Sequence, residues 1–204
     1  MIFKNRNSGD LFFGCLVFSC IILFMQSINY LDSKTISFID SIRIPLLNKF
    51  FIVITYFGEG GVVLFFTVVI TIFLLIKKKK KLTLVLWLMF GGSVVSVYIL
   101  KYAIHRPRPI GGMIEETSFS FPSAHTVIAI FFYTFIAYLF WRGNSNKTIK
   151  FLAFSFATVL IILIGFSRLY LGVHFLSDVL AGYLLGAVWL FLGIKLFRSS
   201  VFKS

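Results

Sequence analysis

The sequence predicts an all-α, polytopic membrane protein, with about six transmembrane helices in one bundle. Three observations carry this expectation. Of the 204 residues, 59% are hydrophobic, 27 of them Phe, and mean hydropathy is +0.97. Only 13% are charged, where a soluble domain carries roughly 25%, so the apolar surface exceeds what one soluble core hides. The apolar residues also come in runs close to the roughly 20 that a helix needs to cross the hydrocarbon core.

The candidate spans follow in order. The first is Leu11–Tyr30, behind a basic start. It resembles a signal peptide but lacks a small-residue cleavage site and is long enough to stay in the membrane. Cys15 and Cys20 both fall inside it, five apart and pointing differently, so they read as packing residues and not as a bridge. The stretch "LDSKTISFIDSIRIPLLNKF" mixes charged and apolar residues around Pro45 and reads as an interfacial helix or loop. The second span is Phe51–Ile76, with Gly58, Gly60 and Gly61 weakening it near its outer end. Glu59 among them reads as a solvated acid at the bilayer surface, with a substrate contact as the other reading. The third span, Leu82–Ile104, precedes "KYAIHRPRPIGGMIEETSFSFPSAH", whose Pro and Gly content excludes a continuous helix. The remaining spans are Ser123–Trp141, Phe151–Phe166 and Phe175–Phe197. Together they predict a single integral-membrane domain over residues 1–204.

The net charge of +13 is distributed unevenly. When the spans alternate, thirteen of the 20 Lys and Arg fall on one side with Asp10 as their one acid, and the "KKKKK" run of Lys77–Lys81 is among them. The other seven face six acids. This positive-inside asymmetry predicts that both termini are cytoplasmic. It also makes the lysine run a topology anchor with a possible lipid-headgroup contact, and not a nucleic-acid footprint.

The three histidines, His105, His125 and His174, all belong to the opposite, outer side, with Lys101, Arg106, Arg108 and Arg168. Cations near or within spans are costly unless they snorkel, pair or bind something. Lys and Arg forks with few carboxylates nearby suit phosphate oxygens. His174 and Asp178 are four apart at the start of the last span, on one helical face. An Asp so placed can accept the proton of one imidazole nitrogen and leave the other free as a nucleophile. His125 opens the fourth span behind Pro122 and Ser123, where helix N–H groups point outward toward an anion.

The spacings are specific as a set. "KYAIHRPRP" fits Lys-x6-Arg-Pro, "PSAH" is close to Pro-Ser-Gly-His, and "SRLYLGVHFLSD" fits Ser-Arg-x5-His-x3-Asp. In this order, in a membrane protein of about six helices, they resemble the type-2 phosphatidic acid phosphatase superfamily of lipid phosphate phosphatases. The resemblance implies that His174 attacks phosphorus to give a phosphohistidine, with Asp178 orienting its ring. It implies that His125 protonates the leaving oxygen and then activates water. Lys101, Arg108, Arg168, Ser123 and the Ala124 N–H would hold the phosphate oxygens. Ala124 stands where the family usually has Gly; it is small and keeps its N–H, and strain would arise only if the position demanded positive φ. Three cations would take the neutralising role magnesium plays elsewhere, and no carboxylate or Cys/His cluster suggests a metal, so neither metal nor cofactor is expected. His105, Arg106, Glu115 and Glu116 lie outside the matched positions and read as solvated loop residues, with the phosphate entrance or a second phosphate as the other reading for His105 and Arg106.

The expected function is metal-independent dephosphorylation of a lipid phosphate or diphosphate at an extracytoplasmic site. In a bacterium, undecaprenyl diphosphate, phosphatidylglycerophosphate, phosphatidic acid and a phosphorylated lipid A are all plausible substrates. The expected partners are that lipid and the bilayer, with no nucleic acid; oligomeric state is left open. A lipid phosphotransferase would use the same intermediate with an alcohol acceptor. An anion transporter would need the cations but not His125 or the His174–Asp178 pair. A vanadate haloperoxidase would share the cradle but not the membrane spans.

Overall fold

The computed structural model describes residues 28–143 and 146–198. All regular structure among them is helical: α1 (28–41), α2 (Pro45–Tyr56), α3 (Gly60–Ile76), α4 (Lys80–Ile104), α5 (Ala124–Gly143), α6 (Lys147–Tyr170) and α7 (Leu176–Arg198). Four helices, α4 to α7, are each long and apolar enough to cross a membrane, and α2 with α3 make a fifth if counted as one bent span. Helices satisfy their own backbone groups, which the hydrocarbon core requires. Only 22–44% of each of the four crossing segments is buried in protein; the remaining surface of Phe, Leu, Ile and Val suits lipid. The chain is a multi-pass membrane protein.

The predicted first span, with Cys15 and Cys20, lies outside the described residues except for its last three, which begin α1. The predicted Phe51–Ile76 span is corrected: it is broken at Phe57–Glu59, where α2 and α3 meet at 44°. A Cβ on Gly58 would lie 2.6 Å from Ile164 Cγ2 and 3.1 Å from His125 Cδ2. The absent side chain therefore lets the bend pass close against α5 and α6. The third, fourth and sixth spans shift by one or two residues at most ends. The fifth is longer than predicted, running from Lys147 to Tyr170, so Arg168 sits in the last turn of α6 and not in a loop. Polar Ser167 ends the apolar run without ending the helix, because its hydroxyl bonds the Ile164 carbonyl at 2.6 Å. The "LDSKTISFIDSIR" stretch is largely α1, and Pro45 opens α2 at the first helical turn, where its missing N–H costs nothing.

Helix α5 is central, packed on α6 and α7, while α4 lies against α7 and α5, and α2 against α6. The approach of α7 to α5 is backbone-close at Gly182, where a Cβ would stand 2.7 Å from the Ser123 carbonyl oxygen. This packing gathers the C-termini of α4 and α6 and the N-termini of α5 and α7 at one end, under the irregular 105–123 segment.

Candidate active site

The site is built where those four helix ends converge. Lys101, in the last turn of α4, is buried and donates to the Phe119 carbonyl. Arg108 Nη1 donates to the Val173 carbonyl at 2.9 Å and lies 3.2 Å from His174 Nε2. Its Nε bonds the Ser118 carbonyl at 2.7 Å. Burial pushes the Arg108 guanidinium below its ordinary pKa, against the opposing pull of Glu116 and Asp178. Arg168 is 1% exposed, and its Nη1 donates to Thr55 Oγ1 at 2.7 Å, while Nη2 pairs with Glu116. Ser123, at the mouth of α5, is fully buried.

His174 occupies the turn between α6 and α7, with Nδ1 3.4 Å from Asp178 Oδ2 and Nε2 turned to Arg108. The Nδ1 contact is within ion-pair reach but not aligned as a hydrogen bond, and Nδ1 is otherwise unpartnered. Burial, then the charges of Arg168, Arg108 and Lys101, hold the His174 pKa well below the ordinary histidine value. The ring is therefore neutral at neutral pH, with a lone pair to use. His125 opens α5 within electrostatic range of Arg168, His174, Arg108 and Lys101. Ala124 begins the helix and is not among the residues with positive φ, so alanine carries no backbone strain there.

Three groups at this site are buried without a hydrogen-bond partner among the described residues: Ser123 Oγ, Arg168 Nε and His174 Nδ1. A fourth, Thr67 Oγ1, lies apart in α3. Buried polar groups are normally paired, so an orphan hydroxyl on Ser123 and an orphan N–H on buried Arg168, with Lys101 buried at the same end, suit an anion. Of the eight predicted site residues, Lys101, Ala124, His125, Arg168 and Asp178 lie on these converging helix ends, and Arg108, Ser123 and His174 on the segments that join them.

Two loop residues correct the sequence reading. Arg106 is not a solvated loop residue: Nη1 bonds Asp178 Oδ1 and Nη2 bonds Asp32 Oδ2, each at 2.7 Å. Its guanidinium also lies 4.1 Å from the Phe175 ring centre. Asp32, on α1, is buried and receives the Ser177 N–H and hydroxyl as well. Glu116 is likewise no free loop acid, since it pairs with both Arg168 and Arg108. Glu115 and His105 are exposed, as expected. The signal that could have found Arg106 is Asp32 itself, an acid in an amphipathic segment that needs a cation if it is buried.

The family model of the PAP2 superfamily matches residues 81–201, which contain all eight predicted site residues. The chain belongs to the PAP2 superfamily. This PAP2 protein is 35% identical over 156 residues to phosphatidylglycerophosphatase B of Bacillus subtilis (strain 168), covering 74% of this chain and 75% of the relative. A solved transmembrane PAP2-type phosphatidylglycerolphosphate phosphatase from Bacillus subtilis superposes with a TM-score of 0.79 at 32% identity, over 91% of this chain and 93% of that one. The structure of Aquifex aeolicus LpxE gives a TM-score of 0.64 at 31% identity, over 79% of this chain and 93% of that one. The PAP2 protein is accordingly a hydrolase, a lipid phosphatase of PAP2 type.

Proposed function

We propose that this enzyme hydrolyses the phosphate monoester of a membrane lipid through a phosphohistidine on His174, with phosphatidylglycerophosphate as the first candidate substrate. The orphan donors Ser123 Oγ and Arg168 Nε beside His174 carry the proposal. The Bacillus relatives, named for phosphatidylglycerophosphate, suggest the substrate.

The phosphate enters among Lys101, Arg108, Arg168 and Ser123, with the Ala124 N–H at the start of α5 as a further donor. His174 Nε2 forms a bond to phosphorus as the ester P–O bond breaks, and His125 gives its proton to the departing lipid oxygen. Asp178 holds the Nδ1 proton and balances the cationic ring. A water then attacks phosphorus, losing a proton to His125, and the N–P bond breaks to release inorganic phosphate and restore His174. Charge spread over the phosphoryl oxygens is met by the fixed cations, and each such donor contributes about 3–4 kcal/mol to lowering the barrier. The acyl chains stay between helices in the bilayer. Chain residues 1–204 act as one membrane unit of about six spans, with both termini cytoplasmic and the site extracytoplasmic.

The test is phosphate release in detergent with EDTA from phosphatidylglycerophosphate, phosphatidic acid and undecaprenyl diphosphate. Turnover that survives EDTA and is highest on phosphatidylglycerophosphate is expected. A different ranking would reassign the substrate, and no release from any would refute the activity.

A further inference from the structure

At the end of the bundle opposite the site, the turn between α3 and α4 and the C-terminal turn of α5 enclose an open basin of about 1080 Å³, lined by Lys77–Lys81, Arg142 and apolar neighbours. Every acid among the described residues, Asp32, Asp40, Glu59, Glu115, Glu116 and Asp178, belongs to the other end. Three of the cations are held in place by rings: Lys77 over Phe73, and Lys81 and Arg142 over Phe197, at 5.9, 5.1 and 5.2 Å from the ring centres. Arg142 also donates to Tyr138 Oη at 3.3 Å. The first turn of α4 opens here with no side-chain cap, so its N–H groups add to the positive field.

A second feature distinguishes this place from a plain topology anchor. An apolar cavity of about 270 Å³ runs up between α4, α5, α6 and α7, lined by Leu82, Val85, Phe135, Tyr138, Phe154 and Phe197 among others. Leu82 and Phe197 line both cavities, so the basic basin and the apolar slot adjoin at these two side chains. A topology anchor needs only charge. An apolar slot adjoining the charges fits an acyl chain below a phosphate. Basic pockets between membrane helices bind anionic headgroups on these terms.

We infer that the basin and slot form a second lipid site, which takes an anionic phospholipid with its headgroup on Lys77–Lys81 and Arg142 and one acyl chain in the slot. The inference rests on the multi-pass membrane fold and not on the catalytic roles of His174 or His125. Bound lipid would join the α3–α4 turn to the ends of α5 and α7 and so stiffen the bundle far from the reaction.

The experiment measures Tm of the full chain in detergent with added dioleoyl phosphatidylserine or phosphatidylcholine, and phosphate release in the same samples. Phosphatidylserine is chosen because it carries no phosphate monoester. It is expected to raise Tm saturably and by several degrees more than phosphatidylcholine. The triple variant Lys78→Gln, Lys79→Gln, Lys80→Gln should lose the difference, as should Ile194→Trp, which adds bulk at a residue lining the slot. The triple Lys→Arg variant at the same positions should keep it. Phosphate release without added lipid should be unchanged in all, showing that they fold and separating this site from catalysis. An undiminished phosphatidylserine effect in the Gln variant would overturn the site. Loss in the Gln variant with retention in Ile194→Trp would reduce it to surface adsorption and overturn the slot. If the Gln variant has lost phosphate release, the Arg and Trp variants decide: loss in Arg, or retention in Trp, refutes the inference.

Discussion

Glu116 and Arg168 form an ion pair inside the candidate site, although Glu116 comes from the loop and Arg168 from the end of α6. Glu116 also stands 3.4 Å from Arg108 Nη2. The carboxylate thus takes two cations that the proposed function assigns to phosphate. On that function substrate displaces it, so Glu116→Gln should tighten inhibition by orthophosphate and vanadate, by roughly tenfold if the competing pair is worth about 1.4 kcal/mol. Unchanged inhibition constants would show that the pair does not compete.

The same carboxyl sets a pH dependence of stability. Burial alone would raise its pKa, but Arg168 and Arg108 overcome this and hold it below the usual range. The ionised pair therefore stabilises the fold above about pH 4.3, the ordinary glutamate value, and is lost as pH falls through the lower folded value. Tm of the native chain should fall in that acidic window more steeply than Tm of Glu116→Gln.

His174 should titrate well below about 6.5. The chain has three histidines, so His105→Gln with His125→Gln leaves His174 alone, and its imidazole can be followed by NMR. A midpoint at or above the ordinary value would contradict the burial and cationic surroundings described for it.

His174→Ala should abolish phosphate release, by at least about a thousandfold, while lipid binding persists. Asp178→Asn should cost on the order of a hundredfold or more, because the amide no longer stabilises the imidazolium. Retained turnover in His174→Ala would exclude it as the nucleophile. Arg106→Lys, which cannot bridge Asp32 and Asp178 with a planar fork, should lower kcat with little change in KM. Equal kcat would leave Arg106 a purely structural tie.

Gly58→Ala places a methyl group against Ile164 and the His125 ring. Overpacking of this kind costs about 1–3 kcal/mol, and here it should also lower kcat by moving His125. Gly60→Ala, with nothing within 4 Å of its new carbon, should change neither. Matching effects of the two would mean that helix propensity, and not the contact with His125, is being read.

How much was legible in the sequence depended on distance along the chain. His174 and Asp178 are one helical turn apart, so their partnership could be read directly. The three glycines at 58, 60 and 61 announced a weak point, though not that the helix would break by 44° there. Arg106 and Glu116 were missed for one reason: each is defined by a partner far away in sequence. Arg106 meets Asp32 across 74 residues and Glu116 meets Arg168 across 52. Only the convergence of helix ends makes those pairs, and no local pattern encodes it. Counting apolar residues likewise stopped at Phe166, because it cannot foresee that Ser167 and Arg168 find partners inside the bundle.

The contact between Gly182 and the Ser123 carbonyl has a consequence for how such an enzyme diversifies. Main chain touches main chain there, so the first turns of α5 and α7 move as one block, carrying His125 and Asp178 together. The 105–123 loop is tied to that block at Ser123 and through the Arg106–Asp178 ion pair. Changes elsewhere in the loop can alter what reaches the site, while the spacing of His125 and Asp178 is inherited intact.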